Sequence, residues 1–218
     1  NAAIMVRYQG KVAVYGAAVP LGAPVTNLPE PKNFIDELVF ANLKRLGIPP
    51  SEVCDDATFL RRVTLDIAGR LPTEAETAEF MANTAPDKRE QLVDTLLRSP
   101  DYADFFANKW SALLKNRRDS ASDMVANFAF HAWGRDSFLS NKPYDQFVRE
   151  LLAATGTVVD NPPVAWYKRV KDSKQQIEDV AQLFLGVRMQ CAQCHHHPFE
   201  RWSQDDYYAL TAFFNQVG

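Results

Sequence analysis

From Phe34 onward, apolar side chains recur every three or four positions with polar residues between them, the periodicity of helices that bury one face. Phe34, Ile35, Leu38, Val39, Leu43 and Leu46 form the first stripe, stopped by Gly47 and Pro49-Pro50. A second stripe, Phe59, Leu60, Val63 and Ile67, runs from a cap at Asp55 or Asp56 to Gly69. Thr73, with Glu74 and Glu76 behind it, starts a third helix. Pro86-Asp87 opens a fourth, with Leu92, Leu96 and Leu97 on one face and Ser99-Pro100 closing it. A fifth is predicted over 101–114 and a sixth over 122–138. A seventh is entered from Asn141-Lys142-Pro143-Tyr144 and continues through Phe147, Val148, Leu151 and Leu152. Residues 156–163 read as a loop. An eighth helix over 173–189 then delivers the chain to Cys191, and Ser203 to Asp206 cap a last helix from Tyr207 through Phe214.

The first twenty residues follow a different rule. Ala3 to Tyr8 and Lys11 to Tyr15 read as two short strands about a tight turn at Gln9-Gly10. A lone hairpin is marginal in water, so 1–20 are read as the closing strands of a preceding β domain. Four prolines between Pro20 and Pro31 make 21–33 a linker. Residues 34–218 are then one helical domain, and the fold class is mainly α with a short N-terminal hairpin remnant.

Composition narrows the function classes. The chain is 46% hydrophobic and 23% charged with a formal net charge of −3, a balance that gives no electrostatic reason to expect nucleic acid. No apolar run approaches the ~20 residues a membrane helix requires. No signal peptide is visible, and Asn1 begins within what reads as a strand, so the chain is expected to be a piece of a longer one. No hydrolase or phosphate-loop pattern stands out. The adjacent acids Asp55-Asp56 read as helix caps rather than as an acid and base pair.

One stretch names a chemistry. Cys191-Ala192-Gln193-Cys194-His195, continuing His196-His197-Pro198-Phe199, is the spacing that attaches a c-type haem. Two thiols on one side of a turn form thioethers to the haem vinyl groups, and the adjacent imidazole binds the iron. The chain has three cysteines, and two of them fall in this pentapeptide. Cys54, the odd one, reads as a free buried thiol. Two other owners of the same atoms stay open. A zinc site would draw on Cys191, Cys194 and two of His195, His196 and His197, although no second knuckle exists in the chain. A redox disulfide is the other, although such motifs open a helix, whereas this one is expected to end one.

A haem iron held by His195 takes a second ligand or keeps an open site. His196 and His197 are too close in sequence to reach the opposite face of the ring. That leaves His131 as the candidate distal ligand, with Met81, Met124 and Met189 as thioether alternatives. A histidine between Phe130 and Trp133 is equally well explained as a hydrogen-bonded core residue. His197 and Arg201 are candidates for haem-edge and propionate contacts, and the plain alternative for both is a bond that fixes the loop. Asp205-Asp206 invites a calcium assignment, but a helix N-terminus explains it better.

Three strings carry a family resemblance: Phe59 through Thr73, Asn141 through Glu150, and Cys191 through Phe214. Together and in this order they resemble a planctomycete family of secreted cytochrome-like proteins, built on a domain of unknown function and found beside a cytochrome c domain. The resemblance covers about Phe34 to Gly218. Residues 1–20 resemble the end of a bacterial Ig-like domain. What the resemblance implies is export to the periplasm or cell surface and haem attachment at Cys191, Cys194 and His195. The Phe130-His131-x-Trp133 segment also looks like the family pattern. No activity comes with it.

The expectation is therefore an extracytoplasmic c-type cytochrome domain carrying haem c iron. It would pass electrons to a redox partner protein or a neighbouring cytochrome domain. The rivals are a haem enzyme or sensor with an open distal site, and a zinc- or disulfide-stapled interaction module.

Overall fold

The structure is a computed structural model that describes residues 2–9, 11–198 and 200–215. Gly10 of the hairpin turn and Phe199 after the cysteine motif lie outside these residues, as do 216–218. The chain divides into two compact units. One holds 1–53 and 189–209, the other 54–188 and 210–218.

In the first unit, β1 (Ala2–Tyr8) and β2 (Lys11–Ala17) pair antiparallel, with Tyr8 opposite Lys11. A two-residue loop requires left-handed backbone, and Gln9 supplies it at φ 46°. Helix α1 (Phe34–Leu46) is capped by Asn33, whose side chain accepts from the N–H groups of Ile35 and Asp36. It ends in a Schellman turn: Ile48 N–H bonds the Leu43 carbonyl and Gly47 N–H bonds that of Lys44, with Gly47 at φ 65°. The linker folds back onto this end, where Leu21 N–H donates to the Leu46 carbonyl at 2.8 Å. A Cβ on Gly47 would stand 2.6 Å from the Gly22 nitrogen, so the position needs glycine for space as well as for its dihedral angle.

The second unit begins at α2 (Asp56–Ala68), capped by Asp55 through the Thr58 N–H at 2.7 Å. Of the two acids read as caps, Asp55 is the cap, whereas Asp56 is the first helical residue and pairs with Lys88 and Arg89 of α4 (Lys88–Leu97). Between them lies α3 (Glu74–Ala82), begun by a reciprocal capping box of Thr73 and Glu76. Arg70 then joins Glu76 at 2.7 Å and Asp101 at 2.6 Å. Helix α5 (Pro100–Leu113) starts at the proline, with Ser99 as its cap. The Ser99-Pro100 pair read as a stop is therefore also a start, because proline fits the first helical position.

Helix α5 packs along α6 (Met124–Leu139), and α7 (Tyr144–Leu152) follows after a short reversal. Both α5 and α6 end in Schellman turns, with Lys115 (φ 59°) and Asn141 (φ 48°) in the left-handed position. The reversal after α6 is pinned by Glu150, which accepts from Lys142, from Trp133 Nε1 at 3.0 Å and from Gln146 at 3.0 Å. Burial pushes the Glu150 carboxyl up, but these bonds outweigh it and hold the group below its usual range. The stretch 156–163 does not stay irregular throughout. A 3-10 turn (Pro162–Val164) leads into the short α8 (Ala165–Arg169), which inserts Trp166 into the core.

The core gathers Leu114, Phe130, Phe147, Leu151, Trp166 and Val180 from α5 to α9. Helix α9 (Ser173–Phe184) is capped by Asp172 and buries Ile177, Val180 and Ala181, of which Val180 joins this core. Helix α10 (Gln204–Thr211) and a 3-10 turn over Ala212–Phe214 close the described chain. Among the described residues, no helix is long and apolar enough to cross a membrane.

Candidate functional site

The chain reaches Cys191 by a route other than a continuous helix. The eighth predicted helix ends at Phe184 rather than Met189. Leu185 and Val187 both turn their N–H groups back on the Ala181 carbonyl, at 3.1 and 3.0 Å, and Gly186 between them sits at φ 68°. Left-handed backbone at glycine terminates helices, and the signal was present in Leu185-Gly186-Val187. Cys191 therefore lies in a separate 3-10 turn, Met189–Gln193, with Cys194 and His195 just past its end, and not at the end of the long helix.

Two apolar side chains root this turn, Met189 and Ala192, at 1% and 0% exposure. Cys191 and Cys194 are by contrast exposed, and both are free thiols. Burial thus alternates along the turn, with the spacer residue inward and the thiols outward. A pair of hydrogen bonds fixes the turn from α10. The Gln193 carbonyl accepts from Gln204 Nε2 at 2.9 Å and from the Tyr208 hydroxyl at 3.4 Å. Gln204 also donates its backbone N–H to His196 Nδ1 at 3.2 Å.

His195 is exposed, and its Nδ1 lies 2.7 Å from the His196 carbonyl oxygen. A carbonyl only accepts, so Nδ1 carries a proton, and in the neutral ring the lone pair is then at Nε2. His197 is buried, and its N–H donates to the Trp202 carbonyl at 2.8 Å, closing the loop. Arg201 stacks on the Trp202 ring at 5.3 Å. Ser203 and Asp206 form a reciprocal cap: Asp206 Oδ2 accepts from the Ser203 N–H and hydroxyl, and Ser203 Oγ from the Asp206 N–H. Those bonds, led by the Ser203 N–H, lower the Asp206 carboxyl from its usual range. The Asp205-Asp206 pair is accounted for as a helix N-terminus.

Residues 34–218 match the family described as PSCyt2, protein of unknown function (DUF1549). The chain belongs to the PSCyt2 family. No curated protein and no solved structure matches the chain. Each string that suggested this family has a physical role in the PSCyt2 fold. Phe59 to Thr73 supplies Arg70 and the Thr73 cap. Asn141 to Glu150 builds the reversal between α6 and α7. Cys191 to Phe214 holds the exposed thiols and the α10 clamp.

His131 stands on α6 in the other unit, half-buried, with Nε2 3.0 Å from Asn108 Oδ1 on α5. Of its aromatic neighbours in sequence, Phe130 is buried while Phe128 is 70% exposed. Among the thioethers, Met81 and Met124 are exposed and Met189 is buried. Cys54 is half-buried rather than buried, and its carbonyl accepts from Arg89 Nη2 at 2.9 Å. Among the described residues no three of His, Cys, Asp or Glu are grouped to hold a metal ion. Gln204 and Tyr208 escaped the sequence reading because nothing local links them to a motif eleven and fifteen residues earlier.

Proposed function

We propose that this PSCyt2 region is an extracytoplasmic c-type cytochrome domain, with haem attached through Cys191 and Cys194 and with His195 as proximal ligand. The observation that carries the reading is the contact of His195 Nδ1 with the His196 carbonyl oxygen. Its Nδ1–H is committed to the His196 carbonyl, which leaves Nε2 as the ligand nitrogen of the neutral ring, on a residue exposed like the two free thiols Cys191 and Cys194. The residues present therefore fit the group on three counts: thiol state, thiol exposure and imidazole protonation. A haem bound there supplies a one-electron iron couple. The protein contributes the anchors, a ring orientation set by the local backbone, and a turn held by Gln204 and Tyr208. Arg201 and His197 are the side chains we assign to the haem edge. Covalent attachment requires export, which places the proposed work in the periplasm or at the cell surface, with a neighbouring cytochrome domain or a redox protein as partner.

The sixth coordination position divides two versions of this reading. With His131 as distal ligand the domain is an electron carrier. An open site makes it a haem enzyme or sensor, and this version draws support from the His131–Asn108 bond, which occupies Nε2. Replacement of His131 by alanine separates them. Conversion of a low-spin to a high-spin spectrum assigns the carrier, and an unchanged spectrum assigns the open site. The zinc-stapled alternative draws no support from how the described histidines, cysteines and acids are grouped.

The deciding experiment is expression with export and cytochrome maturation machinery, followed by absorption spectroscopy and haem staining after denaturing electrophoresis. A Soret band and a stained band are expected. Both should vanish in Cys191→Ala/Cys194→Ala. Their absence in the unaltered chain overturns the proposal.

A further inference from the structure

Away from the cysteine motif, α5, α6 and the start of α7 enclose a recess of about 180 Å³. Its walls are aromatic: Tyr102, Trp110, Phe138 and Phe147, with Tyr144 beside them. The rings meet at angles rather than in one stack. Tyr102 meets Phe138 edge-on at 6.4 Å, and Trp110 meets Phe147 at 5.4 Å and 67°. Such a wall offers both the electron-rich faces and the electron-poor edges of π systems. Cavities of roughly 150 Å³ lined by apolar residues are known to admit benzene, so the volume suits one six-membered ring with a small substituent.

The polar groups at this recess set the charge and the edge chemistry of what it takes. Lys142 is its cation, but the ammonium is already paired with Glu150 and leans over the Trp133 ring at 5.4 Å. No net charge is left to recognise an ion. The Ser137 hydroxyl proton is likewise committed, to the Trp133 carbonyl at 2.7 Å. Three polar ends are not spent. The hydroxyls of Tyr102 and Tyr144 and the side-chain amide of Asn141 have no hydrogen-bond partner among the described residues. Tyr144 and Asn141 are exposed and so mark the mouth. Asn141 is held in place by the Schellman turn that ends α6, with Lys142 N–H on the Ser137 carbonyl at 2.8 Å.

We infer that this recess binds an uncharged hydroxylated aromatic ring, a phenol, stacking it among Trp110 and Phe138 and bonding its oxygen to Tyr144 and Asn141. The site lies wholly within the unit of residues 54–188, and the inference stands independently of haem attachment.

The test is a titration of the haem-free 218-residue chain with 4-hydroxybenzyl alcohol, followed by two-dimensional amide and indole NMR. Saturable shifts are expected at the Trp110 indole and across 137–144. Cyclohexanol, similar in size but not planar, should bind at least about tenfold more weakly, because it cannot stack. Two conservative variants probe the polar edge. Tyr144→Phe keeps the ring, and Asn141→Gly keeps the left-handed backbone, so both retain the fold. Each should weaken binding by about three- to tenfold, the effect of one hydrogen bond. Shifts that never saturate, equal affinity for cyclohexanol, or unchanged affinity in both variants would overturn the inference.

Discussion

His195 Nδ1 and the His196 carbonyl oxygen, 2.7 Å apart, form a bond that spans a single peptide unit. The proton position of the proposed ligand is therefore set within the motif itself and requires no distant residue. What the motif does not set is the path of its own backbone. That is supplied by α10, where Gln204 reaches both the Gln193 carbonyl and His196.

Gln204→Ala should accordingly loosen the turn without unfolding the chain. The lost side-chain bond costs about 1 kcal/mol of stability. Haem attached per mole of protein, read from stained bands normalised to protein, should fall below that of the unaltered chain. Tyr208→Phe removes a longer bond of 3.4 Å and should have the smaller effect. Equal attachment in all three proteins would show that α10 does not position the motif.

Two glycines should respond differently to alanine, although both have positive φ. Gly186, at φ 68°, has no atom within 4 Å of where a Cβ would stand, so Gly186→Ala pays only for strained backbone, about 1 kcal/mol. Gly69, at φ 70°, would place that Cβ 2.2 Å from the Phe105 ring. Strain and overpacking then add, and Gly69→Ala should cost roughly 2–4 kcal/mol. Urea unfolding of the two variants checks the ordering, and Gly186→Asn should recover part of the smaller loss.

Much of this fold was legible along the chain, because its helices begin and end on local signals. Asp55, Thr73, Gly47 and Gly69 occupy the cap positions their chemistry suits, and the two strands of the hairpin fall where the sequence places them, on either side of Gln9-Gly10. Where reading failed, two signals overlapped or a tertiary contact decided. Ser99-Pro100 serves as both stop and start. Gly186 was passed over inside an apolar run, which extended α9 by five residues to Met189. Helix α8 is short, and burial of Trp166 stabilises it more than its own propensity does. At the site, the thiols and His195 were plain from spacing, whereas the Gln204 clamp and the Asn108 partner of His131 depend on contacts across helices.

Acid should weaken the helix α3 corner through a carboxylate that stays ionised in the fold below the pH at which ordinary carboxylates protonate. Glu76 is lowered from 4.5 to about 2, first by the Arg70 guanidinium and then by the Thr73 N–H. A depressed folded-state pKa gives stability that is present above about 4.5 and lost as pH falls toward about 2. Arg70 and Glu76 are each more than a third exposed, so solvent screening limits the gain to about 1 kcal/mol. Glu76→Gln should flatten the slope of urea midpoints between pH 4.5 and pH 2.5, roughly the span of the two values. An unchanged slope would remove Glu76 as a contributor.

Thiol counting separates the owners of the cysteine pair without any spectrum. The chain has three cysteines, and Cys191 and Cys194 are exposed while Cys54 is half-buried. Reduced protein without haem should therefore label two thiols rapidly with a maleimide and the third more slowly. Thioether formation consumes Cys191 and Cys194, leaving 3 − 2 = 1 reactive thiol, Cys54, whether or not reductant is present. A redox disulfide also leaves one, but reductant restores the other two. Bound zinc slows the same pair until a chelator releases it. For exported protein carrying haem, a single slow thiol that reductant and chelator do not change is the expected result. Recovery of two fast thiols would return the motif to one of its rivals.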